Sequence, residues 1–302
     1  MSSSLSLEQE LMTALQNDDL DMLIALLARR GSGENAVGAD PGTAKVGDIV
    51  LAAKLIRAHF KPKPAQLFDW AKRLLNHTDF NANELGLVLL PDVYTRHPEK
   101  AQQLLLRNVD STNWAVREYG GVSVGRILNE HFDEFYPVLQ TWAKHKSENV
   151  RRAVVIATME AAKADQPKRG AKLLKLINPL MDDESRYVRV NLGPFAISLA
   201  LLKNYPELTL KFLDKHAKRQ NEFARWNVAM VWSAVGGRKY AEDGVRLLHD
   251  LAVDERRFVW RAVASATAKL GRAKPEVVKP LLKKWKADPA RKHVAEVTER
   301  YL

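Results

Sequence analysis

The sequence predicts an all-α chain in which helix pairs repeat to form an α-solenoid, and three observations carry that prediction. From Ala44 onward, apolar residues recur at spacings of three and four, and no stretch alternates with period two long enough to be a strand. The helical segments are cut by Pro, Gly or Asp/Asn every 12–20 residues. A short opening motif also recurs around a central valine: Asn-Trp-Ala-Val116-Arg-Glu, Ser-Glu-Asn-Val150-Arg-Arg, Ser-Arg-Tyr-Val188-Arg-Val, Arg-Trp-Asn-Val228-Ala-Met and Arg-Arg-Phe-Val259-Trp-Arg. The intervals between these valines are 34, 38, 40 and 31 residues, which is the period of HEAT-like repeats. Such units cannot bury their apolar faces alone, so they stack into a curved superhelix with a concave side.

Taken in order, Leu5 to Arg30 reads as one or two helices, with Asp18-Asp19 as the break. Gly31 to Gly42 is a loop by composition, and no Gly-Lys-Ser/Thr follows it, so it is not a phosphate-binding Walker loop. Residues 1–43 thus form an acidic N-terminal helical cap with a Gly-rich loop, and residues 44–302 form the repeat domain. Within that domain the expected helices are 44–60, 64–76, 81–97, 98–109, 113–130, 133–145, 148–164, 167–181, 185–204, 206–219, 222–236, 239–253, 256–270, 274–287 and 289–301.

Composition narrows the function. With 46% hydrophobic and 27% charged residues the chain is an ordinary folded protein, and no apolar run approaches a membrane span. The start of the chain has no basic segment or apolar signal core, so a cytoplasmic protein is expected, nucleoid-associated when bound to DNA. The absence of cysteine excludes disulfides, thiolate metal sites and a Cys nucleophile. The eight histidines are scattered without ligand spacing, so neither metal nor cofactor is expected. Net charge is +11, of which residues 1–45 carry −4 (three basic, seven acidic) and the rest +15. Residues 186–240 hold ten basic against three acidic side chains. That asymmetry favours a polyanionic partner such as nucleic acid, and a monomeric chain is expected.

The stretch Asn113–Gly125 departs from ordinary helix. A Trp, an Arg and a Glu precede three glycines within six residues, each costing about 0.5–1 kcal/mol relative to Ala. Trp114 and Glu118 stand four apart and share a face with Gly121, Val122 and Gly125. Arg117, Arg151 and Arg189 each follow a central valine, with Arg152, Arg225 and Arg261 nearby. Arginines repeated at one place suit bidentate contact with phosphates, and they suit structural pairing along a solenoid equally well. Trp226, like Trp114, sits at a motif start, where an aromatic face can stack on a sugar or base.

On these residues the chain resembles the DNA alkylation-repair glycosylases built from HEAT-like repeats, the AlkD/AlkC-like group. The carriers are Asn113-Trp-Ala-Val-Arg-Glu, Phe132–Trp142, Glu148–Val154, and Tyr187–Gly193 leading to Asn204-Tyr-Pro-Glu-Leu208; the likeness spans residues 60–302. It implies excision of cationic alkylpurines such as 3-methyladenine or 7-methylguanine, without a deep pocket for a flipped base. It also implies a catalytic carboxylate four residues after a Trp, the place of Glu118 after Trp114, and a groove arginine, the place of Arg152. Counting back from Trp142 without a gap puts Arg117 at the carboxylate position instead, about 100° away around the helix. The family's second aromatic falls on Pro194, with Phe195 the nearest substitute.

The expected function is therefore a DNA repair protein that grips duplex DNA in a basic groove and hydrolyses the N-glycosidic bond of alkylated purines. Glu118 would be catalytic, with Trp114, Arg117, Arg152, Arg189, Phe195, Arg225, Trp226 and Arg261 contacting DNA. The rival readings are a non-catalytic binder of DNA structure and a protein–protein scaffold.

Overall fold

A computed structural model of the chain describes residues 5–29 and 42–302; the expected loop at 31–42 lies outside them except for Gly42. Every regular element among the described residues is helical. By packing, the chain divides into two units, residues 1–127 and 128–302, with the division falling inside one helix. Each unit is a stack of helices packed on their neighbours in sequence, as the repeat pattern requires.

In the first unit, α1 (Leu7–Gln16) and α2 (Leu20–Arg29) pair across a turn with Asp18 at φ 52°. Ser6 and Gln9 cap α1 reciprocally. Next come α3 (Val46–Phe60) and α4 (Pro64–Leu75), both packed on α5 (Phe80–Leu89). The helix expected to span 81–97 changes at Leu90 into a tighter 3-10 segment, Leu90–Arg96, where Pro91 supplies no donor. The unit ends with α6 (Pro98–Val109) and α7 (Trp114–Glu130). Close approach explains one glycine here: a Cβ on Gly120 would lie 2.8 Å from Val109 of α6. Asp92 takes Arg57 of α3 at 2.7 Å and Arg126 of α7 at 2.6 Å.

The second unit continues with α8 (Phe132–Trp142), α9 (Glu148–Ala161), α10 (Arg169–Ile177) and α11 (Arg186–Asn191). The single helix expected over 185–204 is three pieces. After α11 the backbone widens into a π-helix, Leu192–Leu201, because Pro194 lacks an N–H, and it closes on α12 (Leu202–Asn204). Then follow α13 (Pro206–Ala217), α14 (Glu222–Val231), α15 (Ala241–Leu251), α16 (Arg257–Ala273), α17 (Pro275–Ala287) and α18 (Lys292–Glu299). Between α14 and α15, the 3-10 turn Val235–Tyr240 packs on the π-helix.

The repeat register is set by capping. Asp79, Ser147, Ser185 and Asn221 are the N-caps of α5, α9, α11 and α14, and each side chain accepts a backbone N–H of its helix. Asn113 does the same before α7, accepting from Ala115 and Val116. The fourth repeat thereby corrects the sequence alignment. Its cap is Asn221, so Ala224 holds the valine place and Arg225 the arginine place, with Val228 one turn further on. A sixth, earlier unit also emerges, opened by Asp79.

The recurring arginine is structural. Nη1 of Arg117 donates to the carbonyls of Ser111 and Thr112, each at 2.8 Å, so it fastens the turn from which its helix starts. Arg151 does this with His145 and Lys146, and Arg189 with Asp183 and Glu184. Arg151 also forks onto Asp183 at 2.6 and 3.0 Å, and Arg225 pairs with Asp254 at 3.1 Å. In the Asp79 unit, Asn83 holds this place and donates to His77 and Leu74 carbonyls.

A Cβ on Gly236 would fall on the Ser198 carbonyl oxygen of the π-helix, whereas one on Gly47 would meet nothing. Gly236→Ala is expected to lower unfolding free energy by at least about 1–3 kcal/mol, the range for overpacking. Gly47→Ala should be neutral or stabilising by up to about 1 kcal/mol. Thermal unfolding of the two variants checks both.

Candidate functional site

Two clefts concentrate the chemistry, one in each unit. The first, about 560 Å³, lies between α5, α7 and the start of α3. Its walls are apolar (Ala44, Val46, Val88, Ala115, Val122), and its polar groups include Glu84, Glu118, Tyr119 and Lys45. Trp114 stands at it with 43% of its surface exposed. Asn81 holds the segment that forms one wall: its Oδ1 accepts from Ala44 N–H at 2.7 Å, and its Nδ2 donates to the Gly42 carbonyl at 2.9 Å.

The two candidates of α7 point to different places. Glu118 lines the cleft with Trp114, while the Arg117 guanidinium is turned back onto the preceding loop. One residue around the helix separates a carboxylate in the cleft from a cation outside it.

Sequence reasoning missed Glu84. It is 1% exposed, and burial together with the charge of Asp79 pushes its carboxyl from 4.5 up to about 7. Tyr119 is raised to about 12 by burial and by Glu84, and its buried hydroxyl has no hydrogen-bond partner among the described residues. The signal was nevertheless present. Glu84 stands five residues after its cap Asp79, as Glu118 does after Asn113. That place passes on to Arg152 and Trp226 in the repeats capped by Ser147 and Asn221.

The second cleft, about 940 Å³, brings Trp226 and Arg261 together with Arg186, Arg257, Lys269 and Arg272. Phe258 and Tyr301 add aromatic surface, Trp226 stacking on Phe258 with ring centroids 5.9 Å apart, and no carboxylate side chain lines the cleft. Arg186, Arg257, Arg261 and Lys269 are exposed and make no ion pair among the described residues.

Like Arg117, three more of the expected DNA-contacting arginines lie outside both clefts. Arg152 is buried with its guanidinium 4.6 Å from the Tyr187 ring centroid. Arg189 is buried among Phe223, Trp226 and Phe258. Arg225 is held by Asp254. Phe195 is exposed on the π-helix and lines neither cleft. No group of acidic and histidine side chains among the described residues could hold a metal, and no described helix is long and apolar enough to cross a membrane.

The described residues thus hold an aromatic–carboxylate cleft in one unit and a basic–aromatic cleft in the other. The family model for DNA alkylation repair enzymes matches residues 44–227, and the chain belongs to that family. A comparison with curated protein sequences finds no match. Among solved structures, Escherichia coli YibA is 16% identical, with 99% of each chain covered and a TM-score of 0.40. An importin beta structure is 11% identical, covering 96% of this chain and 46% of that one, with a TM-score of 0.35.

The raised Glu84 carboxyl gives a signed prediction. Between 4.5 and about 7 the folded state keeps a proton that the unfolded chain releases, so stability falls as pH rises through that window. Glu84→Gln should match the parent near the acidic end and exceed it above neutrality by on the order of 2–3 kcal/mol. Urea unfolding across this pH range tests it; parallel pH profiles for parent and variant would count against the raised carboxyl.

Proposed function

We propose that the chain excises positively charged alkylated purines from duplex DNA by hydrolysing the N-glycosidic bond. The observation that carries this reading is the shared orientation of Trp114 and Glu118 into one cleft, in a chain of the DNA alkylation repair family. An alkylpurine cation is already a good leaving group, so a sparse site suffices. As the C1′–N bond breaks, its electron pair leaves with the base and the sugar acquires oxocarbenium character. The Glu118 carboxylate stabilises that charge and orients the water that attacks C1′, taking up the water's proton. Trp114 packs on the sugar or base. The cations of the second-unit cleft take backbone phosphates, with Trp226 and Phe258 offering stacking faces.

That basic cleft, free of carboxylate side chains, also supports a second reading, in which the chain binds DNA structure and performs no chemistry. Glu118→Gln separates the two. It should reduce release of 7-methylguanine from methylated duplex by on the order of a hundredfold or more, while duplex affinity changes little. Equal release by variant and parent would remove Glu118 from the chemistry, and no release by the parent favours the binder. A double Arg257→Glu, Arg261→Glu variant is expected to bind duplex more weakly and to lower the slope of log affinity against log salt by about 2. Titration by fluorescence anisotropy at several salt concentrations reads both effects.

A further inference from the structure

We propose that the second-unit cleft binds an unpaired nucleic-acid strand, its phosphates on the cations of α16 and its bases against the aromatic surface of Trp226, Phe258 and Tyr301. This rests on the nucleic-acid reading of that cleft, deepens it, and is independent of the chemistry assigned to Glu118.

The cations form a line. Arg257, Arg261, Lys269 and Arg272 follow one face of α16 over about 22 Å, and Arg186 joins them from α11. Arg186, Arg257, Arg261 and Lys269 are exposed and make no ion pair among the described residues, and no carboxylate side chain lines the cleft. A line of cations without counter-charges fits a polyanion laid along it better than a single anion. Four of the five cations, and Tyr301, lie beyond residues 44–227, so the family match does not account for this site.

The aromatic surface distinguishes a single strand from a duplex. Trp226 and Phe258 stack at an interplanar angle of 16°, and the half-exposed Tyr301 lines the cleft with them. The main-chain carbonyl of Tyr301 accepts from Arg272 Nε at 3.1 Å, which fixes it beside the cations. In a duplex each base face is covered by its neighbours, so only an unpaired strand presents bases to these rings. The cation place of the aromatic cluster is already taken: the Arg189 guanidinium lies 4.6 Å from the Phe223 ring centroid and 5.0 Å from that of Phe258. A cationic ring would find that place filled and the surrounding charge repulsive, whereas a neutral base on an anionic backbone suits both. An acidic protein segment would engage the cations and leave the rings without flat partners.

The test is fluorescence anisotropy of the full chain with a labelled oligothymidylate about twelve nucleotides long, an abasic oligomer of the same backbone, and a duplex of equal length. The parent is expected to bind oligothymidylate on the order of tenfold more tightly than the abasic oligomer. Trp226→Leu and Tyr301→Ala should each lower that ratio at least about threefold, and the ratio of single-strand to duplex affinity should fall with it. Trp226→Phe, which keeps a ring, should hold most of the parent's ratio. Tyr301→Ala spares the main-chain bond to Arg272 and decides the matter if thermal unfolding shows Trp226→Leu to be misfolded. A parent that binds the two oligomers equally, or variants that keep the parent's ratios, overturn the proposal. Displacement of the strand by thymidine monophosphate as effectively, per nucleotide, as by unlabelled oligothymidylate assigns the cleft to a free nucleotide. Equal displacement by an oligoglutamate of the same charge assigns it to an acidic protein segment, and either result also overturns the proposal. Base release from methylated duplex is measured alongside. Release without discrimination between oligothymidylate and the abasic oligomer sinks only this inference, whereas discrimination without release sinks only the glycosylase reading.

Discussion

At the start of α5, α7, α9, α11 and α14, a side-chain oxygen accepts one or two of the helix's first free N–H groups. In three of these repeats a guanidinium four residues later returns to the carbonyls of the turn. This double fastening at Asn113/Arg117, Ser147/Arg151 and Ser185/Arg189 is the constraint on which the rest depends. Capping satisfies donors that would otherwise be orphaned, at about 1 kcal/mol per helix. Its larger consequence is geometric. Once cap and arginine are locked, the next residue is committed to the neighbouring face of the helix.

That neighbouring face is where the chemistry stands. Glu84 and Glu118 hold the place after the locked residue in the first unit, and Trp226 holds it in the second. The same backbone place thus carries a carboxylate in the first cleft and an aromatic ring in the second.

Glu84 carries a desolvation cost within the first cleft. A leucine or glutamine in place of Glu84 would avoid the desolvation that raises the carboxyl to about 7. The fold tolerates it because the proton neutralises the side chain and the surrounding helices are well packed, with Leu85, Leu87 and Leu89 fully buried on the same helix. Asn81, one turn earlier, holds the 42–44 segment in place, so the cavity keeps its wall.

The sequence by itself determined the helices, their pairing and the period, because the apolar spacing of three and four, Pro at helix starts and caps such as Ser147 and Ser185 are local signals. It also placed Trp114 and Glu118 on one face, since a four-residue spacing decides that without reference to neighbours. Only the tertiary structure placed Glu118 in the first cleft and Arg117 on the preceding turn, because that placement depends on carbonyls of the loop rather than on helical phase. Only it moved the fourth repeat to Asn221, where Ala224 replaces the valine that marked the others. The burial of Arg152 and Arg189 under aromatic rings, and the convergence of Glu84 on Glu118 across 34 positions of chain, likewise arise from packing between repeats. Spacing within one helix cannot encode such contacts, because each is made by a residue that the helix does not contain.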